Sequence, residues 1–384
     1  MRSRPKVALL IEMSNAYARG LLRGIVQFVR EQQPPWSVQL VEQGRGDAPP
    51  EWLSSWKGDG IIARIENHRI AKAVTMTGLP AVDVSAARTV PNIPWVETDD
   101  REIARLAFEH FYERGFRNYA YCGDSQFNWS TWRRDHFSAV LANAELKPFI
   151  HDVSHTGKTD PGDRRQQRLA KWLKDLPKPA GILVCYDILA RELLDVCRAT
   201  GVAVPEEVAV MGVDDDELLC NLSSPPLTSV QLDTHQTGYH AASLLADLMS
   251  GQTVSEETHL VKPLGIATRQ STDILAIEDS DVAAAVRYIR ENACDGINVS
   301  DVLKHVPCTR RVLEQRFGKI LGRSPHHEII RVKIDRVKQL LLETDLPISV
   351  VADRSGFLHV EYLSVVFKRE TGQTPARFRN NQGE

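Results

Sequence analysis

Between Val302 and Phe378 the chain repeats itself. Phe317-Gly318-Lys319-Ile320-Leu321-Gly322-Arg323-Ser324-Pro325 matches Phe367-Lys368-Arg369-Glu370-Thr371-Gly372-Gln373-Thr374-Pro375, and Leu313 matches Leu363, all at an offset of 50. Upstream the offset is 49, pairing Leu303 with Ala352 and Pro307 with Gly356. Each copy therefore reads as helix, turn, helix, with one extra residue in the second turn.

Local chemistry supports both copies. Pro347 is tolerated at a helix start, and Ile348, Val351 and Ala352 then form an apolar stripe. Gly356 can end that helix in the left-handed conformation, and Ala352 is small enough to admit a crossing helix. The next helix buries Leu363, Val366 and Phe367 and turns Glu361, Ser364, Val365 and Lys368 outward, with Val360 at its start. In the first copy Thr309 is the expected N-cap, Leu313 and Phe317 face inward, and Arg310, Arg311, Glu314 and Gln315 remain outside. Ser324-Pro325 starts a connecting helix whose Ile330, Ile334, Val337 and Leu341 are spaced to pack against both units. A solvated helical bundle would explain one such copy. Two copies in register favour DNA binding, because reading helices in successive major grooves need about 34 Å between them and a rigid helix can supply it.

Over about the last hundred residues the pattern resembles the arabinose-regulator (AraC/XylS) family of transcription factors. The resemblance is carried by Ala352-x-x-x-Gly356-Phe357, Phe367-Lys368, Gly372-x-Thr374-Pro375 and Phe378-Arg379. It implies an all-α, seven-helix, double helix-turn-helix domain over residues 281–384, with units at about 299–317 and 348–367. Leu303 and Pro307 depart from the family's Ala and Gly.

Charge is distributed to match. The 384-residue chain carries a net −3, yet residues 281–384 hold 17 Lys and Arg against 13 Asp and Glu, making the tail +4 and the remainder −7. A basic tail suits phosphate contacts, and an acidic body stays off the polyanion. The length and 42% hydrophobic content suggest two or three domains with ordinary cores. The six cysteines form no C-x-x-C pair and are expected as reduced core thiols. No apolar run approaches the roughly 20 residues of a membrane span, and Met1-Arg-Ser-Arg-Pro leads straight into a strand, so a cytoplasmic protein is expected.

Ahead of the tail, short apolar strands alternate with amphipathic helices. Val7–Ile11 precedes a helix from about Tyr17 to Arg30; strands follow at Val38–Val41, Gly60–Ile65 and Ala81–Val84, then a helix from Asp100 to Arg114. The alternation restarts with strand Tyr119–Cys122, helix Trp132–Ala144, strand Gly181–Cys185, helix Ile188–Ala199 and strand Val208–Val213. This predicts two α/β lobes with parallel doubly wound sheets and a cleft supplied from strand carboxyl ends.

Residues 6–272 resemble the sugar-binding core of the lactose/galactose-repressor family and of periplasmic sugar-binding proteins. The motifs are Thr98-Asp99-Asp100, Arg133 four residues ahead of Phe137, Tyr186-Asp187, Val213-Asp214-Asp215, Pro225-Pro226-Leu227-Thr228-Ser229-Val230, Gly238 with Ala241-Ala242, and Arg269-Gln270-Ser271-Thr272. The resemblance implies a periplasmic-binding-protein-like sensor over 1–272. Lobe 1 would span about 6–115 and 231–262, and lobe 2 about 116–230 and 263–272. The chain would cross near Gly115–Arg117, Ser229–Leu232 and Lys262–Gly265, with 273–280 as linker. Two departures stand out: no N-terminal DNA-binding headpiece, and Tyr186 in place of Asn.

Carried across, the family's ligand contacts fall on Asp99, Arg133, Asp187 and Asp214, with Asn15, Tyr17 and Trp129 as further candidates. Carboxylates accept from paired hydroxyls, and a guanidinium fork donates to two sugar oxygens. The Tyr17-x-Arg19-Gly20-Leu21-Leu22-Arg23-Gly24-Ile25 helix is similar to that of xylose-responsive regulators with this domain pairing. That implies a transcription activator with D-xylose as effector. Expected partners are operator DNA, the sugar, RNA polymerase and a second copy in a homodimer; no membrane, cofactor, metal or catalytic residue is expected. The competing readings are the same architecture sensing another pentose or hexose, a transport-type sugar-binding protein, and a glycoside-acting enzyme using two of the aspartates. The last two lack, respectively, a signal peptide and any G-x-S-x-G or phosphate-loop motif.

Overall fold

Val7, Leu9 and Ile11 bury against the Leu21, Ile25 and Phe28 stripe of the following helix, and this strand-then-helix packing sets the pattern of the first unit. The computed structural model describes residues 4–41, 47–153, 162–254, 258–273 and 279–380. Of the expected linker, residues 274–278 lie outside the described residues. The chain divides into two compact units, Met1–Ile274 and Leu275–Glu384.

The first unit contains two six-stranded sheets. One is built from β1 (Lys6–Leu10), β2 (Ser37–Leu40), β3 (Gly60–Ala63), β4 (Ala81–Asp83), β5 (Trp95–Thr98) and β11 (Thr258–Val261), all parallel, in the order β11-β5-β4-β3-β1-β2. The other is built from β6 (Asn118–Gly123), β7 (Phe149–Asp152), β8 (Ala180–Val184), β9 (Val208–Val213), β10 (Thr228–Gln231) and β12 (Gly265–Ala267). Its order is β12-β10-β9-β8-β6-β7, with only β12 antiparallel.

Helices α1 (Ala16–Gln32) and α8 (Thr234–Met249) pack together on the first sheet. Their backbones meet through glycines. A Cβ on Gly24 would lie 1.9 Å from the His235 carbonyl oxygen, and one on Gly238 2.0 Å from that of Leu21. The glycines of the Arg19–Ile25 motif therefore serve close helix packing.

The first crossing between lobes differs from expectation. Helix α3 (Asp100–Glu113) packs on the second sheet: Phe111 lies against Gly181 of β8, and His110 Nε2 is 2.7 Å from Thr272 Oγ1. The chain thus leaves the first lobe at Asp99. The break at Gly115–Arg117 ends a helix already belonging to the second lobe. The other crossings fall at 232–233 and 262–264. Asp99 N donates to Val261 O at 2.9 Å and Leu264 N to Gln231 O at 2.8 Å, which ties the three crossing segments together.

The second unit has seven helices among the described residues: α9 (Ser280–Asn292), α10 (Val299–Leu303), α11 (Arg310–Leu321), α12 (Pro325–Glu343), α13 (Ile348–Arg354), α14 (Val360–Thr371) and α15 (Pro375–Asn380). Helix α12 packs against α9 and α11 of the first half and α13 and α15 of the second. Its Ile330, Ile334, Val337 and Leu341 share a core with Val351, Ala352, Leu363, Val366 and Phe367.

Gly356 has φ 73°, and a Cβ there would lie 2.6 Å from the Cys294 carbonyl oxygen, so the glycine is required. Lys333 Nζ donates to Gly356 O at 2.8 Å, tying the second turn to α12. Thr309 occupies the N-cap of α11 but makes no side-chain capping bond; in the first unit the capping box is Asn298 with Asp301. The cysteines are all free, with Cys122, Cys185, Cys197 and Cys220 buried and Cys294 and Cys308 half-buried. No helix among the described residues is long and apolar enough to cross a membrane.

Candidate functional site

The carboxyl ends of strands from both sheets border a cavity of about 270 Å³, near the small end of the range for ligand sites. The first lobe lines it with Asn15, Tyr17, Arg64 and Thr98, and the second with Asp100, Trp129, Arg133, Tyr186 and Asp214.

Helix α4 (Asn128–Ala142) starts earlier than the sequence suggested, which puts Trp129 and Arg133 four residues apart on one helical face. The Arg133 guanidinium lies 5.5 Å from the Trp129 ring. Its Nε donates to Asp100 Oδ1 at 2.8 Å and its Nη1 to the Cys185 carbonyl. Trp129 stacks on Phe127 and meets Tyr186 edge-on at 5.6 Å, giving the cavity an aromatic wall. Such a wall suits the C–H face of a sugar.

On the other side, Arg64 pairs with Glu12 and, at 2.7 Å, with Glu66, while its guanidinium lies 5.1 Å from the Tyr17 ring. Burial pushes the Tyr17 phenol well above its usual range, so it stays a neutral donor. Asn15 caps α1 through Ala18 N at 2.8 Å and donates to Glu12 at 2.8 Å. Thr98 Oγ1 and Arg64 Nε are buried without hydrogen-bond partners, which leaves unused polar capacity in the cavity wall.

Asp214 has φ 115° and Asp215 φ 50°, conformations that cost energy for residues other than glycine. They are held by Asp214 N to Val230 O at 3.1 Å, Asp215 N to Ser229 Oγ at 3.0 Å, and an Arg269–Asp215 pair at 2.8 Å. The strain turns the chain at the end of β9, where Asp214 lines the cavity.

Two expected contacts are corrected. Asp99 does not line the cavity; it caps α3, accepting from Arg101 N at 3.0 Å and Glu102 N at 3.3 Å, and Asp100 takes the cavity position. Asp187 is buried away from it, accepting from Ser229 Oγ at 2.6 Å and Asp216 N at 2.8 Å. Burial and nearby Asp214 push its carboxyl well above the usual range. Arg64, Thr98, Asp100 and Tyr186 line the cavity beyond the expected set. Each sits at or just after a strand end, the signal that could have found them.

Ser85 and Ala86, also in the wall, are set by Asp83, whose Oδ1 accepts from Ile65 N at 3.1 Å and Ser85 N at 2.8 Å. Burial pushes the Asp83 carboxyl up to about 7, and Oδ2 has no partner. A folded pKa raised above the unfolded value gives an acid that destabilises the fold progressively as pH rises from about 4 to about 7. Asp83→Asn is expected to remove that slope, raising the sensor's melting temperature at pH 8 relative to the parent. A parent melting temperature constant between pH 5 and 8 would contradict it.

In the second unit Arg310, Arg311, Glu314 and Gln315 are all exposed on α11, with Arg310 and Glu314 paired at 2.9 Å. On α14, Glu361, Val365 and Lys368 are exposed and Ser364 is half-buried. Val360 is the exception, partly buried against the core of the second half. From Leu303 and Ala352, the second helix of each unit starts at Arg310 and Val360, so the extra residue lies in the second turn.

A two-lobed cleft lined by charged and aromatic side chains, joined in one chain to a duplicated helix-turn-helix, defines a ligand-responsive DNA-binding transcription regulator. Residues 6–101 match the XylR N-terminal domain, 108–272 a periplasmic binding protein-like domain, and 302–381 a helix-turn-helix domain. The chain is 33% identical to the xylose operon regulatory protein of Haemophilus influenzae over 98% of both chains. Identity to that of Escherichia coli K12 is 31%, over 99% of this chain and 98% of the relative. A solved structure described as the xylose-binding transcription activator xylR superposes with a TM-score of 0.85 at 30% identity, covering 99% of this chain and 98% of that one. The chain belongs to the family of xylose operon regulatory proteins.

Proposed function

We propose that this chain is a transcription activator whose effector is D-xylose, bound in the interlobe cavity and read out by the C-terminal domain at an operator. The observation that carries the reading is one cavity holding Arg64, Arg133, Asp100 and Asp214 beside an aromatic wall. Two guanidinium groups and two carboxylates can orient a polyol by paired hydrogen bonds, whereas an apolar cavity of the same size could not. The full-length relatives and the xylose-binding neighbour supply the choice of sugar.

In this reading residues 1–272 are the sensor and 281–384 the DNA-binding domain. Arg133, Asp214, Asn15, Tyr17 and Trp129 contact sugar, joined by Arg64, Asp100 and Tyr186. Arg310, Arg311, Glu314, Gln315, Glu361, Ser364, Val365 and Lys368 face DNA. The protein is a homodimer acting with RNA polymerase in the cytoplasm, where the operator is, and it catalyses no reaction. Sugar shifts the equilibrium only by its differential affinity for two lobe arrangements; moving a population from 1:99 to 99:1 takes about 5.5 kcal/mol.

Calorimetric titration of the full chain with xylose, arabinose, ribose and glucose tests this. Xylose is expected to give a saturable signal at the lowest concentration. Saturation by another of these sugars with no heat from xylose would overturn the effector and leave the architecture standing.

A further inference from the structure

The two reading helices present different chemistry. The outward face of α11 is polar throughout, whereas around α14 three apolar side chains stand in solvent: Leu358 is 92% exposed, Tyr362 50% and Val365 67%. Leu358 lies just ahead of the N-cap His359, and Tyr362 and Val365 follow within the first two turns. Tyr362 and Val365, three residues apart on α14, form an exposed apolar row outside the buried face of Leu363, Val366 and Phe367, with Tyr362 6.1 Å from the Phe357 ring, and Leu358 stands in the turn just ahead of the helix. Glu361, Lys368 and Arg369 are exposed on the same helix, and Arg354 is exposed at the end of the preceding one.

We propose that this row reads thymine methyl groups, so that the half-site under the second unit is specified by apolar contact and that under the first by hydrogen bonds. The proposal rests on α14 being a groove-reading helix. In such a helix the N-terminal residues reach base edges. Thymine is distinguished in the major groove by its C5-methyl, which apolar side chains contact, and Glu361 can accept from a cytosine amine beside it. The exposed Lys368 and Arg354 suit phosphate contacts. Three side chains are far less than the roughly 800 Å² that a stable protein partner buries on each side.

The test uses the full chain with xylose and a duplex selected from a random library, on which footprinting locates both half-sites. Thymines in each half-site are then replaced by deoxyuridine, which removes only the methyl. Replacement under the second unit is expected to weaken binding about fourfold for each contacted methyl. The same change under the first unit should have little effect. Leu358→Ser/Tyr362→Ser/Val365→Ser should bind the thymine duplex more weakly and lose the distinction between the two bases.

Equal affinity of the parent for thymine and deoxyuridine duplexes, with both half-sites protected, overturns methyl reading while leaving α14 in the groove. A footprint over one half-site only overturns the reading-helix assignment itself. Unchanged affinity of the triple variant with lost transcription in a reconstituted polymerase assay overturns the proposal in favour of a polymerase contact.

Discussion

Arg133→Ala is expected to weaken xylose binding roughly 10- to 150-fold, the range for losing a hydrogen bond to a charged group at about 1.5–3 kcal/mol. Arg133 is only 5% exposed, and its side chain joins three parts of the second lobe: Asp100 at the start of α3, the Cys185 carbonyl at the end of β8, and the Trp129 ring. On the proposed reading alanine removes a donor to the sugar, and it leaves Asp100 without the 2.8 Å partner that holds its carboxylate in place. Arg133→Lys keeps the charge but loses the fork and should fall between the two. Calorimetry gives the affinities, and near-ultraviolet circular dichroism checks that the aromatic wall survives. Parental affinity in the alanine variant would remove Arg133 from the site.

Glu328→Ala is expected to cost the DNA-binding domain about 3–5 kcal/mol, the penalty for breaking a buried ionic cluster by deleting one member. Glu328 is fully buried on α12, with Arg323 Nε at 2.5 Å, Arg331 Nη2 at 2.9 Å and Arg290 Nε at 3.8 Å. Burial alone would raise its carboxyl; Arg331, Arg323 and Arg290 outweigh burial and hold it at about 2. A depressed folded pKa stabilises fully above the unfolded value of about 4.3, and that contribution is lost as pH falls toward about 2. The parent should therefore lose stability between pH 4 and 2 with a slope that the alanine variant lacks. Because α12 packs against helices of both halves, operator binding at both half-sites should fail at the same lower temperature. A variant with the parental midpoint for loss of the footprint would show that the cluster contributes nothing net.

The duplicated unit was legible because its signals are local: Gly356 at a positive φ, Leu363 and Phe367 at core spacing, Ser324-Pro325 at a helix start. The sensor's sheets were legible for the same reason, through short apolar runs separated by amphipathic helices. The site was legible only in part. Adjacent Asp99 and Asp100 look alike in sequence, and the choice between them was made by capping geometry, which uses the last non-helical residue and frees the next. Asp187 follows a strand as Asp214 does, but its carboxylate is consumed by Ser229 and the Asp216 backbone, partners about thirty to forty residues away in sequence. Arg64 escaped notice because a lone arginine after a strand resembles any surface cation until Glu12 and Glu66 close on it. The first lobe boundary was misplaced because Gly115 looks like a hinge, and only the packing of Phe111 on Gly181 shows which lobe owns α3.

Helix α12 runs from Pro325 to Glu343, 19 residues or about 28 Å. Since each residue also advances the helix by about 100°, its length sets the angular phase between the two helix-turn-helix units as well as their separation. Adding one residue would swing one unit about a quarter-turn relative to the other, whereas adding seven would nearly restore alignment while widening the gap by about 10 Å. On the proposed reading, tolerated operators are therefore expected to fall within a narrow window of base-pair spacing, enforced by covalent geometry before any base is contacted.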